Sequence, residues 1–237
     1  SITWINWCAP LRDVGAIVVA AGRGARMGGE VPKQYLSLAG HPVLLHALRP
    51  FVSHPEVACV VVVLPAADAA EPPAWLATLR GETLATVAGG ASRAESVRAG
   101  LAALPDGCEV VLVHDGARPF PPREAIDGGI RAARAGHAAL PALPVAETLK
   151  RADDFGRVLG TVPRAGLWLA QTPQAFPRGL LRRAHAADLA GDLVPTDDAM
   201  LVEMLGAVVE LLPGSARNLK ITTRDDLALA EWFAGQG

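Results

Sequence analysis

"GAIVVAAGRGARMGGEVPKQY" (residues 15–35) begins with an apolar run and continues into a segment rich in glycine and basic residues. A strand, a glycine-rich turn and a helix in that order form a common anion-binding arrangement, because free backbone N–H groups point into the turn. The stretch therefore predicts a buried strand that leads into a phosphate-binding loop of an α/β protein.

The loop fits neither of the two common phosphate-binding templates. A dinucleotide-binding fingerprint needs three glycines, and Gly22 and Gly24 supply only two because Met27 stands at the third position. A P-loop needs a Gly-Lys-Ser/Thr ending that is absent from this stretch. The distinctive residues are Arg26 and Lys33, two cations that bracket the turn. They suit a polyphosphate whose negative charge increases during reaction.

Three further apolar runs, at 57–64, 109–115 and 138–144, read as strands without polar alternation. Continuous valine-rich runs are typical of parallel strands that are covered on both faces. Between the strands, helix-like patterns occur at 43–54, 92–104, 123–136 and 223–234, and two of them open with a capping box, Ser92 with Glu95 and Thr223 with Asp226. Alternating strands and helices predict an α/β fold with a doubly wound, mostly parallel sheet.

Residues 145–170 interrupt this alternation with polar turns and short strand-like flanks. The segment reads as a β-arm, at about 144–168, inserted into one domain that covers 14–237. Trp168 and Leu169 on this arm pack either on their own domain or on a partner subunit, and the sequence does not decide between the two. Residues 1–13 are interpreted as an N-terminal extension with no assigned function.

The composition is that of a soluble globular protein, with 51% hydrophobic and 19% charged residues. A net charge of −2 gives no reason to expect nucleic acid or a membrane surface as a partner. No apolar run is long enough to span a bilayer. The three cysteines lie far apart without metal-ligand spacing, so we expect reduced thiols and a cytoplasmic protein.

Two later stretches carry residues suited to ligand binding. In "AGGASRAESV" (88–97), Gly89 and Gly90 follow a strand and permit close backbone approach to a flat ligand, while Arg93 lies in the first helical turn. In "VLVHDGARP" (111–119), Asp115 ends a buried strand, where α/β proteins bind ligands. Asp115 is therefore a candidate ligand for Mg²⁺ or another divalent cation, and Arg118 a candidate contact for a second anion.

Six motifs occur together and in order: "AAGRGARMGGEVPKQY", "GGASRAESV", "HDGARP", "ETLKR", "QTPQAF" and "NLKIT". With this set, residues 14–235 resemble the 2-C-methyl-D-erythritol 4-phosphate cytidylyltransferases. The resemblance implies a Rossmann-like nucleotidyltransferase fold and transfer of CMP from CTP to methylerythritol phosphate, with Mg²⁺ and release of pyrophosphate. It also implies a homodimer formed through the β-arm.

The resemblance assigns roles to residues of this sequence. Arg26, Lys33 and Asp115 match the catalytic positions, and Asp115 also matches the metal ligand. The positions that bind CTP are Ala20, Ala21, Gly22, Gly24, Gly89, Gly90, Arg93 and Ser96. The positions that bind the sugar phosphate are Gly116, Arg118, Thr148, Arg164, Thr172, Thr196 and Lys220, with Thr148 and Arg164 reaching in from the neighbouring arm. Gly116 replaces a frequent alanine, which we expect to be harmless if only its backbone contacts the substrate.

Three alternatives remain at this point. The nearest is a cytidylyltransferase for another polyol phosphate, such as ribitol 5-phosphate, which would share the CTP loops. A nicotinamide-dependent oxidoreductase is suggested by the strand–glycine–helix opening, and Met27 argues against it. A non-catalytic nucleotide-binding protein is disfavoured because Arg26, Lys33 and Asp115 are all present.

Overall fold

A mixed, mostly parallel β-sheet forms the centre of the computed structural model, which describes residues 11–22, 32–79, 83–188 and 195–236. The strands of the described chain are β1 (Val14–Val19), β2 (Ser37–Leu38), β3 (His41–Pro42), β4 (Val57–Leu64), β5 (Leu84–Ala88), β6 (Val110–Asp115), β7 (Ala138–Pro144), β8 (Leu149–Ala152), β9 (Val158–Val162), β10 (Trp168–Ala170), β11 (Gln174–Pro177) and β12 (Val209–Pro213).

Seven α-helices are described around this sheet. They are α1 (Val43–Val52), α2 (Ala66–Ala70), α3 (Arg93–Ala103), α4 (Arg123–Arg134), α5 (Arg178–Asp188), α6 (Asp198–Met204) and α7 (Arg224–Ala234). Two 3₁₀ turns, Lys33–Tyr35 and Ala74–Thr78, complete the helical elements of the described residues.

The sheet has a parallel half and a mixed half. Strands β5, β4, β1 and β6 run parallel in that spatial order. Beyond β6, β11 pairs antiparallel with both β6 and β7. Strand β7 also pairs with β10 antiparallel and with β12 in parallel. The predicted α/β fold with a mostly parallel sheet is confirmed, and the short strands β10, β11 and β12 make its second half mixed.

The valine-rich strands are continuous because both of their faces are buried. In β4, Val60 and Val62 pack with α1 and α4 on one face, whereas Val61 and Val63 pack with α3 and α5 on the other. Successive side chains of a strand point to opposite faces, so a strand between two helical layers needs an apolar residue at every position. Cys59 and Cys108 are buried free thiols in the second of these layers.

The interruption at 145–170 contains a β-hairpin. Strands β8 and β9 pair only with each other in the described chain, and most of their residues are exposed. Strand β10 returns the chain to the central sheet, yet Trp168 and Leu169 keep 47% and 57% of their surface exposed. The division into a 1–13 extension and a 14–237 domain stays a prediction, and residues 1–10 lie outside the described residues.

Candidate active site

The loops that follow β1, β5 and β6 line one cavity of about 460 Å³. These loops leave the carboxyl ends of parallel strands, the edge at which open α/β sheets bind ligands. The cavity is large enough for much of a nucleotide. Ten predicted site residues lie in its wall: Ala20, Ala21, Gly22, Lys33, Gly90, Arg93, Ser96, Asp115, Gly116 and Lys220.

Two glycines allow the turn after β5 to pack tightly. A Cβ on Gly89 would lie 2.4 Å from the Cβ of Ala21 and 2.8 Å from Ser96 Oγ. A Cβ on Gly90 would lie 2.4 Å from the Cβ of Glu95. These separations are too short for a side chain, so glycine is needed for the close approach of the turn to its neighbours. The Gly90 N–H donates to Ser96 Oγ at 3.2 Å, which fixes the turn against α3.

One of the two hydrogen bonds of the capping box predicted at the start of α3 is present. Ser92 is the N-cap, and its Oγ accepts a hydrogen bond from the Glu95 N–H at 3.1 Å. The other half is wrong, because the Glu95 carboxylate accepts from the Ala91 N–H at 2.8 Å instead of from Ser92. At α7, by contrast, Thr223 and Asp226 form the complete predicted box. The cap begins α3 at Arg93, beside the cavity.

Asp115 lies among three cationic side chains at the end of β6. Lys220 Nζ donates to Asp115 Oδ2 at 2.7 Å, Arg93 Nε donates to Oδ1 at 3.4 Å, and Arg118 Nε lies 3.8 Å from Oδ2. Burial alone would raise the pKa of Asp115, but the charges of Arg93, Lys220 and Arg118 outweigh burial and hold this pKa well below its usual range. Asp115 is therefore a carboxylate at neutral pH.

A second cavity, of about 250 Å³, adjoins the first and shares Arg93, Asp115 and Lys220 with it. Two cations, Arg93 and Lys220, thus contribute to both walls. The second cavity is also lined by the predicted residues Arg118, Thr172 and Thr196, and by Gln171, Gln174 and Asp197. Two ligands in these cavities would meet at the shared residues.

Buried His114 connects the backbone at Asp115 to Thr172. His114 Nε2 lies 2.9 Å from the Arg118 carbonyl oxygen, which only accepts, so Nε2 carries the proton. Nδ1 is then the acceptor for the Thr172 hydroxyl at 2.9 Å, and Thr172 Oγ1 accepts from the Asp115 N–H at 3.0 Å. Burial lowers the pKa of His114 to about 4, so the imidazole is neutral. His114 is therefore a hydrogen-bonded structural residue.

A polar network holds the segment that carries Lys220, and sequence reasoning missed it. Arg118 Nη1 donates to the Asn218 carbonyl at 2.7 Å, and Asn218 Nδ2 donates to the Thr172 carbonyl at 2.8 Å. Gln171 Nε2 donates to the Ser215 carbonyl at 2.8 Å. Gln171 and Asn218 are buried. Gln171 and Asn218 lie in the motifs "QTPQAF" and "NLKIT", but the sequence does not show which residues they contact.

Sequence reasoning also missed Asp198 and His185. Arg93 Nη1 donates to Asp198 Oδ2 at 2.6 Å, and His185 Nε2 lies 3.0 Å from Asp198 Oδ1. Both partners of Arg93, Asp115 and Asp198, are acids that lie beyond α3 in the chain. Arg93 Nη2 and Arg118 Nε are buried without a hydrogen-bond partner in the described part of the chain, so each retains a donor for a ligand anion.

Gly116 is packed more closely than we expected from the sequence, where glycine in place of alanine was taken as harmless. A Cβ there would lie 2.9 Å from Leu44 Cδ1 and 3.1 Å from both the Ala20 Cβ and the Val19 carbonyl oxygen. An alanine would therefore require these neighbours to shift by a few tenths of an ångström. The glycine in this chain fits its neighbours without such a shift.

Three predicted site residues of the described ranges do not appear in either cavity wall. Gly89 lies behind the first cavity against Ala21 and Ser96. Thr148 and Arg164 are exposed on either side of the arm hairpin, where Arg164 Nη1 donates to the Ala146 carbonyl. Gly24 and Arg26 lie outside the described residues.

The site combines a turn-lined cavity of nucleotide size with an adjoining cavity rich in cations. This arrangement, on a doubly wound sheet, defines the class as an α/β nucleotidyltransferase-like enzyme. The family model described as IspD, 2-C-methyl-D-erythritol 4-phosphate cytidylyltransferase, matches residues 14–236. The chain belongs to this family.

Individual relatives agree with this assignment. A 2-C-methyl-D-erythritol 4-phosphate cytidylyltransferase of Syntrophus aciditrophicus is 42% identical over 93% of this chain and 95% of its own length. The enzyme of the same name from Xanthomonas campestris pv. campestris is 47% identical over 93% of this chain and 84% of its own. A crystal structure of the Thermus thermophilus enzyme of that name aligns with a TM-score of 0.77 and 38% identity, and covers 92% of this chain and 97% of that one.

Two negative findings apply to the described residues. None of their helices combines the length and the apolar character that a membrane span requires. No group of three or more His, Cys, Asp and Glu side chains among them is placed to hold a metal ion. Asp115 is the one acid of the described residues that lines both cavities.

Proposed function

We propose that this protein transfers CMP from CTP to 2-C-methyl-D-erythritol 4-phosphate, giving 4-diphosphocytidyl-2-C-methyl-D-erythritol and pyrophosphate. Membership of the family supports the substrates. The structural observation that carries the proposal is the contact between the two cavities. Arg93, Asp115 and Lys220 line both, so a triphosphate in the first and a sugar phosphate in the second would meet at these residues.

The first cavity is assigned to CTP. Its wall is built from backbone turns at Ala20–Gly22 and Gly90, which suit a flat base and a ribose that approach the main chain closely. Lys33, at the start of a 3₁₀ turn, lines the same cavity and supplies a positive charge for the triphosphate. Arg26 is proposed to act with Lys33, and its position is outside the described residues.

The second cavity is assigned to the sugar phosphate. Arg118 and Lys220 lie in its wall together with the hydroxyls of Thr172 and Thr196. Cationic and hydroxyl donors are the groups that bind phosphate and polyol oxygens. A phosphate oxygen attacks the α-phosphorus of CTP in line, and pyrophosphate leaves. A phosphate monoester is already deprotonated near neutral pH, so the reaction requires no general base.

Positioning and charge neutralisation supply most of the rate in this mechanism. Both reactants are anions, and their approach is unfavourable unless cations surround the reacting atoms. Lys33, Arg93 and Lys220 lower this repulsion and stabilise the charge that develops on the α-phosphate and on the leaving group. Asp115 holds Lys220 and Arg93 in place through its two oxygens.

Mg²⁺ is proposed as the cofactor, with Asp115 as its protein ligand. One carboxylate is a sparse donor set, but Mg²⁺ commonly takes one or two carboxylates with phosphate oxygens and waters. Among the described residues, Asp115 Oδ1 has a single long contact, 3.4 Å from Arg93 Nε, so this oxygen fits a cation. When bound, Mg²⁺ neutralises triphosphate charge.

A homodimer is proposed from the resemblance and from the arm. The β8–β9 hairpin exposes Val158 and Leu159 at 63% and 65% and Phe155 at 83%. Exposed apolar surface of this kind favours a protein partner. In the proposed dimer, Thr148 and Arg164 of one arm contribute to the sugar-phosphate cavity of the other subunit. A cytoplasmic location is proposed from the reduced thiols expected of the sequence.

A panel of polyol phosphates tests the proposed activity. Purified protein is incubated with CTP and Mg²⁺ and with either methylerythritol 4-phosphate or ribitol 5-phosphate, and pyrophosphate release is measured. We expect turnover with methylerythritol phosphate to exceed turnover with ribitol phosphate by at least about a hundredfold, the discrimination available to a few mismatched polar contacts. Preference for ribitol phosphate, or no pyrophosphate with either acceptor, would contradict the proposal.

A further inference from the structure

Asp198 is a buried acid outside both cavities. It lies in the first turn of α6 with 1% of its surface exposed. Its Oδ2 accepts from Arg93 Nη1 at 2.6 Å, and its Oδ1 lies 3.0 Å from His185 Nε2 on α5. A buried carboxylate is costly unless it is paired, and here both oxygens have partners. Asp198 thus joins α6 and α5 to the first residue of α3.

Arg93 connects Asp198 to the two cavities. Its guanidinium is shared between two acids, with Nη1 on Asp198 and Nε 3.4 Å from Asp115 Oδ1. Arg93 lines both cavities, whereas Asp198 lines neither. The Asp198 side chain can therefore affect ligands in the cavities through the position of Arg93.

We propose that Asp198 is a positioning residue that holds the Arg93 guanidinium in the wall shared by the two cavities. Without the Asp198 charge, Asp115 is the remaining carboxylate partner, and Arg93 is drawn towards it. Asp115 Oδ1 would then be neutralised by Arg93, and Arg93 would leave the place where it faces the reacting phosphates. His185 supports Asp198 through the other carboxylate oxygen, Oδ1. This inference rests on the proposed cytidylyl transfer.

The direct variant is Asp198→Asn, which keeps the size of the side chain and removes its charge. We expect kcat to fall by about 10- to 100-fold, because a displaced cation loses stabilisation of the developing charge. The KM for CTP should change by less than about threefold, because the backbone turns that bind the nucleotide are not touched.

A matched control is available on the same helix. Arg98 Nη1 of α3 donates to Asp188 Oδ2 of α5 at 3.0 Å, and the Asp188 side chain is 9% exposed. Neither residue lines either of the two cavities. Asp188→Asn removes an ion pair between α3 and α5 and should leave kcat within about twofold of wild type, because its partner Arg98, unlike Arg93, lines neither cavity.

A double-mutant cycle separates positioning from a general structural role. Asp198→Asn is combined with Arg93→Ala, and kcat is measured for both single variants and the double variant. If Asp198 acts through Arg93, the second substitution adds less than about twofold to the loss caused by Arg93→Ala. An equal loss from Asp198→Asn in both backgrounds, or an unchanged kcat in the wild-type background, overturns the proposal.

His185→Asn keeps the cycle decisive if Asp198→Asn does not fold. It retains the Asp198 carboxylate and loosens it, so we expect kcat to be lower by about threefold to tenfold in wild type, with no further loss in the Arg93→Ala background. Loss of the same size in both backgrounds rejects positioning. Wild-type protein in the same assay separates the two hypotheses, because its inactivity would reject the proposed function, whereas an active wild type with unaffected variants would reject only the role of Asp198.

Discussion

The charge of the site is set by a few residues that are distant in the chain. Asp115 contacts Lys220 and Arg93, and Arg93 also contacts Asp198. Asp115, Lys33 and Arg93 were predictable because each sits in a motif at a strand end or helix start. Asp198 was not predictable as a partner of Arg93, because 105 residues separate them and only the folded chain brings the start of α6 to the start of α3.

Lys33 tests the proposed stabilisation of the triphosphate. Lys33→Ala removes a cation from the wall of the first cavity. We expect kcat to fall by about 10²- to 10³-fold, in line with the loss of one charged group that stabilises a transition state. Steady-state kinetics with CTP and methylerythritol phosphate provide the measurement. Near-normal turnover would show that Lys33 has a different role.

His114 predicts how stability depends on pH. The pKa of His114 is about 4 in the folded protein, and we take the ordinary histidine value of 6.5 for the unfolded chain. Between these two pH values the unfolded chain binds a proton that the folded chain does not. The free energy of unfolding therefore rises with pH across this window, by about 3 kcal/mol in total. This contribution of His114 is fully present above pH 6.5. Asp115 does not contribute there, because its lowered pKa affects stability only below its unfolded value of 3.8.

The substitution His114→Gln keeps a donor and an acceptor but removes the titration. Urea unfolding at several values between pH 4 and 6.5 should then show a much flatter free energy of unfolding than wild type. Some slope should remain, because burial also lowers the pKa of His46. An unchanged slope would mean that the imidazole of His114 does not account for the pH dependence.

At the scale of elements, the strands were the most predictable part of the fold. The run 57–64 coincides with β4, and the run at 109–115 begins one residue before β6. Burial on both faces makes such strands visible as unbroken apolar runs. Strands β10, β11 and β12 were not predicted, because strands of three to five residues at the mixed half of the sheet carry little pattern of their own.

The turn after β5 makes a prediction about Gly89. Gly89→Ala introduces a Cβ within 2.4 Å of Ala21 and 2.8 Å of Ser96 Oγ. We expect the free energy of unfolding to fall by about 1–3 kcal/mol. We also expect the KM for CTP to rise by about tenfold or more, because the turns that line the nucleotide cavity must separate.

Gly107 provides the control for this substitution. A Cβ on Gly107 meets none of the described residues within 4 Å, so Gly107→Ala should change stability by no more than about 0.5 kcal/mol and leave the KM for CTP unchanged. Urea unfolding and initial-rate kinetics of both variants supply the comparison. Equal behaviour of the two variants would refute the importance of close packing at Gly89.

At the scale of the whole molecule, the arm has no evident role within a single chain. Thr148 and Arg164 lie by the exposed hairpin, away from the walls of both cavities. The sequence indicated an insertion, since the alternation of strands and helices stops at 145. It did not decide what Trp168 and Leu169 pack against, because apolar side chains on an arm suit either their own domain or a partner subunit.

Subunit mixing tests the proposed exchange of arms. Arg164→Ala and Lys220→Ala subunits are coexpressed, so that a mixed dimer has one site with an intact arm and an intact cavity. We expect a statistical mixture to recover about a quarter of the wild-type activity, because about half of the dimers are mixed and each has one intact site of two. Each variant alone provides the baseline. Activity equal to the mean of the two variants would indicate that each site is built within one chain.

The central claim is that an oxygen of the acceptor phosphate attacks the α-phosphorus of CTP. Its most direct test uses methylerythritol 4-phosphate labelled with ¹⁸O in the phosphate group, with mass spectrometry of both products. The account predicts that all of the label stays in 4-diphosphocytidyl-2-C-methyl-D-erythritol, including its bridging oxygen, and that the pyrophosphate contains none. Label in the pyrophosphate, or hydrolysis of CTP to CMP without a labelled product, would contradict it.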